Sequence, residues 1–163
     1  MARLERDLNP LDFAGFAEPI GAPASWSDWI AITQTRIDGF AEHTGDDAFI
    51  HTDPARAAAT RFGGTIAHGL LTLSLLPLMR RSAVPNVADA RMSVNYGFDQ
   101  IRFLAPVPVN SRVRGGFAVT GAEITKPGFG KITYAVTVEI EGIDRPALAA
   151  SWTIGHWLSQ EKS

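Results

Sequence analysis

Asp46 and His51 stand five residues apart in the run Thr44-Gly45-Asp46-Asp47-Ala48-Phe49-Ile50-His51. A carboxylate and an imidazole on one short segment can hold a water between them and exchange its protons, which imidazole does well at cellular pH. Farther along, the run Phe62-Gly63-Gly64-Thr65-Ile66-Ala67-His68-Gly69 leads into a leucine-rich stretch. A helix opening there carries backbone N–H groups without intrahelical acceptors and the positive end of its dipole, so it can steady negative charge developing on a carbonyl oxygen. A held water facing a polarised carbonyl compound is the chemistry of water addition. Each feature also has a plainer reading. Asp46 and Asp47 can solvate a turn, His51 can be a satisfied core histidine, and Gly63 and Gly64 can serve a sharp turn with unusual backbone angles. The Gly69 N–H is free if the helix starts near His68, and already used if Thr65 caps it. Spacing leaves both open.

Other chemistries lose support. There is neither a Gly-x-Ser-x-Gly elbow nor a Gly-x-x-x-x-Gly-Lys phosphate loop. No two of the four histidines stand at i, i+4, and the absence of cysteine removes thiolate nucleophiles and zinc-thiolate sites, so no metal is expected. A formal charge of −2 gives no reason to expect nucleic acid as a partner. Arg3, Glu5, Arg6 and Asp7 occupy the place of a signal peptide's apolar core, and Leu70 to Met79 is too short to cross a bilayer. A cytoplasmic protein that does not engage a membrane is the expectation. Arg80, Arg81, Arg102 and Lys131 could meet a phosphorylated ligand at a pocket mouth, although such residues are usually just solvated.

The elements that must position these groups follow from pattern. At 163 residues the chain fits one domain. Residues 1–25, rich in proline and glycine, read as an extended arm, 26–158 as the domain and 159–163 as a polar tail. Ile37, Phe40 and Ala41 at helical spacing, Thr33 as cap and Gly45 as stop predict a helix that delivers the chain to Asp46. Asp53-Pro54 announces a second helix, with Asp53 as its N-cap. From Ile66 to Met79 the leucines fall on every side, predicting an enclosed helix disturbed at Pro77, which lacks an internal donor. Alternation then predicts strands near 91–98, 100–105, 111–124, 131–141 and 145–158. An α+β fold, with an antiparallel sheet wrapped around a central apolar helix, satisfies both patterns.

Gly45-Asp46 with His51, Asp53-Pro54, Phe62 through Gly69 and the following Leu70-Leu71-Thr72-Leu73-Ser74-Leu75-Leu76-Pro77 resemble the hydratase motif of the MaoC-like dehydratase family, in its NodN-like branch. Val94-Asn95-Tyr96-Gly97-Phe98, Ile101-Arg102-Phe103 and Pro106-Val107-Pro108 extend the likeness over roughly residues 26 to 155. The resemblance implies a hotdog fold and a homodimer whose sheets join edge to edge, with the two sites near the interface. It implies (R)-specific hydration of a trans-2-enoyl-CoA, or the reverse dehydration, with no separate cofactor because the substrate carries coenzyme A. Asp46 and His51 would hold the catalytic water and the Gly69 N–H the thioester oxygen, with His68, Asn95 and Arg102 as further substrate-binding candidates. Two departures bear on acyl preference: Ala48-Phe49 stands where relatives often carry Asn-Pro, and Pro77 where some place a serine. A hotdog acyl-CoA thioesterase and a non-catalytic acyl-thioester-binding protein are the alternatives on the same fold.

Overall fold

In the computed structural model, residues 8–159 are described; residues 1–7 of the expected arm and 160–163 of the expected tail lie outside them. The arm reaches the domain through one 3-10 turn, Ala14–Phe16, and buries Phe13 and Phe16 in the core. Two short strands follow, β1 (Ser25–Trp26) and β2 (Ile30–Ala31). Helix α1 (Gln34–Thr44) starts where extended Thr33 accepts from the Arg36 amide, and it stops at Gly45, whose φ of 76° suits glycine. Next come α2 (Phe49–Thr52) and α3 (Pro54–Ala58), the latter capped by the Asp53 side chain with Pro54 in its first turn. Gly63 adopts a left-handed φ of 69°, as its turn requires, whereas Gly64 does not.

The expected long helix is two. Helix α4 (Gly69–Ser74) ends at Leu75, and α5 (Leu76–Ala83) restarts at once with Pro77 in its first turn, where a missing N–H costs no helical bond. Leu71, Leu75, Leu76, Met79 and Ala83 are buried, while Leu70 is 59% exposed. The pair of helices is thus covered on one face, because one curved sheet can wrap only one side of it.

That sheet comprises β3 (Ala90–Phe103), β4 (Arg112–Lys126), β5 (Phe129–Ile140) and β6 (Ile143–Leu158) in the order β1-β4-β5-β6-β3, with β2 also on β4 and every pairing antiparallel. In β5, Ile132, Tyr134, Val136, Val138 and Ile140 are buried and alternate with less buried neighbours, as period-two patterning demands. They share one core with Leu71, Leu76, Met79, Phe117 and Trp152. The result is the hotdog arrangement, an antiparallel sheet around a central helix. The two strands expected at 91–98 and 100–105 are one bent strand, since a register shift between Asp99 and Arg102, with Gln100 at a φ of 53°, bulges β3 without ending its pairing to β6. Among the described residues no helix is long and apolar enough to cross a membrane.

Candidate active site

The start of α4 is fixed by backbone bonds made just before it. The Ile66 amide donates to the Ile50 carbonyl at 3.0 Å and the Ala67 amide to the Val107 carbonyl at 2.8 Å, which holds this stretch extended. Thr65 is therefore no cap, and its hydroxyl donates instead to Gln34 Oε1. His68 occupies the N-cap position and Gly69 is the first helical residue, so the Gly69 N–H has no acceptor inside the helix. Of the two starts left open by spacing, this is the one that frees it.

Asp46 follows the left-handed stop at Gly45 and is exposed, while His51 is carried on α2 and is buried. Sequence periodicity gives no sign of this one-turn helix; it is closed by the His51 amide donating to the Ala48 carbonyl and by the Thr52 hydroxyl donating to the Asp47 carbonyl. His51 Nδ1 lies 2.7 Å from the Ile66 carbonyl. A carbonyl only accepts, so Nδ1 bears the hydrogen and, in the neutral ring, Nε2 keeps its lone pair. His68 is turned the other way, donating through Nε2 to the Asp46 carbonyl at 2.8 Å. The two rings stack with centroids 3.8 Å apart, and Phe40 leans on His68 from 4.9 Å. Asp46, His51 and His68 each bring one ligand-capable atom to within 4.8 Å of the others. Such a group could grip a cation as well as a water, and two imidazoles with a carboxylate suit a transition metal best.

A cavity of about 330 Å³ is shared by His51 and Gly69 and lined also by Arg61, Thr72, Phe103 and Ala147 among others. Phe103 lies against Gly69 so closely that a Cβ there would fall 2.8 Å from the ring. Of the expected site residues, the structure brings together Asp46, His51, His68 and Gly69. Asn95 and Arg102, both exposed on β3, do not line this cavity. Asn95 borders a different cavity with Arg80 and His156, and Arg102 donates to the Ile101 carbonyl at 2.9 Å.

Sequence reasoning passed over three contributors. Gln34 binds the His51 carbonyl through Nε2 at 2.8 Å and accepts from Thr65, tying α1 to both halves of the site; a glutamine in a first helical turn carries no signal of this. Arg61 puts a cation at the cavity, and Phe103 forms its wall. Their placement depends on the turn after α3 and on the bend of β3, neither of which spacing encodes.

The family model described as MaoC like domain matches residues 15–142. Nodulation protein N from Rhizobium leguminosarum bv. viciae is 47% identical over 146 residues, spanning 89% of this chain and 91% of that protein. The 3-hydroxyacyl-thioester dehydratase Z of Mycobacterium tuberculosis is 44% identical over 137 residues, spanning 84% of this chain and 90% of its own length. Among solved structures, a monoamine oxidase regulatory protein from Archaeoglobus superposes with a TM-score of 0.75 at 25% identity, covering 93% of this chain and 97% of that one.

Proposed function

The chain belongs to the MaoC-like domain family, whose members similar to it include hydro-lyases named as dehydratases, and from that premise we propose that it adds water, (R)-specifically, to a trans-2-enoyl thioester of coenzyme A, or removes it in reverse. The observation that carries this reading is that His51 clusters with Asp46 and shares a cavity with the free N–H of Gly69. With its Nδ1–H spent on Ile66, His51 presents Nε2 as acceptor for one hydrogen of a water, and the Asp46 carboxylate accepts the other. The water oxygen bonds to the β-carbon as the carbon–carbon π pair shifts toward the carbonyl and a proton passes to the dyad. Charge gathers on the thioester oxygen, where the Gly69 N–H donates to it. The enolate then collapses as the α-carbon takes a proton, and the dyad returns to its starting state. Asp46 and His51 act as one coupled unit. Coenzyme A enters as part of the substrate, and no separate cofactor or metal is asked for.

Purified protein should consume the enoyl absorbance of a ladder of trans-2-enoyl-CoA thioesters and yield (R)-3-hydroxyacyl products. Asp46→Asn or His51→Ala should lower turnover by about 10²–10⁴-fold, the usual worth of a general acid–base group. Full activity in both variants ends the mechanism. Release of free thiol from saturated acyl thioesters with no hydration would make the protein a thioesterase, and tight binding without turnover would make it a carrier.

A further inference from the structure

A second cavity of about 330 Å³ is bounded by α5, β3 and β6 and shares no lining residue with the one holding His51 and Gly69. Trp152 and His156, each 1% exposed, line it together with half-buried Arg80. Exposed Arg81, Asn86 and Asn95 complete its polar wall.

The buried atoms there lack acceptors. Trp152 Nε1, Arg80 Nε and His156 Nε2 have no hydrogen-bond partner among the described residues. Other atoms of Arg80 and His156 have partners. One terminal nitrogen of Arg80 donates to the Pro85 carbonyl at 3.0 Å, and the guanidinium carbon stands 5.8 Å from the centre of the Tyr134 ring. His156 Nδ1 lies 2.9 Å from the Ser93 hydroxyl, which can donate to it and so leave Nε2 as the ring's N–H. An unpaired buried donor costs about 1–3 kcal/mol, so the N–H groups of Trp152 Nε1 and Arg80 Nε, joined by His156 Nε2 when Ser93 donates to Nδ1, call for an acceptor that no described residue supplies to these atoms.

Charge points the same way. Arg80 and Arg81 bring two cations, and among the described residues no carboxylate lines the cavity. Asp89, whose charge reaches His156, takes the Phe13 amide on its Oδ1 at 2.9 Å and is not part of the wall. A neutral carbonyl could satisfy the N–H groups but would leave the Arg80 charge uncompensated. We propose that this cavity binds a small oxyanion, a carboxylate or phosphate group, through Arg80, Trp152 and His156, in addition to any chemistry at the Asp46–His51 site.

The indole N–H resonance of Trp152, assigned through Trp152→Phe, reads the site directly in the intact protein. Succinate and inorganic phosphate are titrated separately at constant ionic strength. A saturating shift with succinate alone identifies a carboxylate site, with phosphate alone a phosphate site, and with both a general oxyanion site. Arg80→Gln should weaken saturation about tenfold or more, as loss of a charge-assisted bond predicts, while Arg36→Gln, on exposed α1, should titrate like the wild type. If Arg80→Gln does not fold, Arg81→Gln takes its place and should also saturate more weakly. A shift that stays linear for both anions, or one unchanged by the cavity arginines, overturns the proposal and leaves Arg80 and Arg81 as cations at the α5 C-terminus. No enoyl substrate enters the measurement, so its failure and that of the proposed hydration are separate results.

Discussion

The two buried histidines with defined Nδ1 partners illustrate how one hydrogen bond sets a role. At His51 the Ile66 carbonyl accepts from Nδ1, so the ring can neither flip nor change tautomer without abandoning a buried bond, and Nε2 stays aimed at the space shared with Asp46. His68, stacked on it and bonded to the Asp46 carbonyl, fixes the distance between the aspartate segment and the helix start. His156 has a hydroxyl for partner and a different electrostatic fate. Burial first, then the charge of Arg80, hold its pKa down to about 4, with Asp89 pulling the other way. The unfolded ring titrates near 6.5, so the native state keeps it neutral where the unfolded chain would bind a proton. Its contribution to stability is therefore complete above that pH and is lost as pH falls toward 4. Urea unfolding at pH 7.5 and 4.5 should show a smaller acid loss in His156→Asn than in the wild type. Equal losses would place the acid sensitivity in other groups.

Short-range chemistry governs which elements form, and long-range contacts govern how they end. Gly69 lies where the two meet. An alanine there gains up to about 1 kcal/mol of helix preference, but its Cβ would fall 2.8 Å from Phe103, and overpacking of that kind costs about 1–3 kcal/mol. Gly69→Ala should thus lower the thermal midpoint, and adding Phe103→Ala should bring the midpoint above that of Phe103→Ala alone. If alanine has the same effect in both backgrounds, the ring is not the obstacle. The helix caps at Thr33 and Asp53, the stop at Gly45, the interruption near Pro77 and the alternation of β5 could all be read from the sequence, because each is decided within a few residues. The helical turn that carries His51 could not, since four residues show no periodicity and its closure depends on Thr52 and Ala48. The choice of Gly69 over Thr65 as the helix start was equally hidden, because it is made by the Ile50 and Val107 carbonyls, distant in sequence. Asn95 was singled out by likeness alone and Arg102 by likeness and charge, and neither is among the residues lining the cavity that holds His51.

At the scale of the molecule, the two sheet edges differ. One is closed by the two-residue strands β1 and β2, whereas the other is the 14-residue β3, which among the described residues pairs with β6 alone and leaves Met92 and Tyr96 more than half exposed. A long apolar edge of this kind needs a cover, and a second copy of the same strand, antiparallel across a two-fold axis, supplies one. The protein is expected to sediment as a homodimer, and Val94→Lys with Tyr96→Lys should shift it to monomer by setting like charges along the seam. A wild-type monomer at micromolar concentration would refute this pairing. The position of β6 carries a temporal consequence. Synthesised after β3, β4 and β5, it is nevertheless the strand that joins β3 to the rest of the sheet. On the ribosome, β4 and β5 can close as a hairpin while β3 waits, its backbone unbonded on both sides, until residue 158 has emerged. A nascent chain halted before that point displays three adhesive edges in place of one, both sides of β3 and the open side of β5, so slowed translation across 143–158 should favour aggregation more than the same delay anywhere earlier.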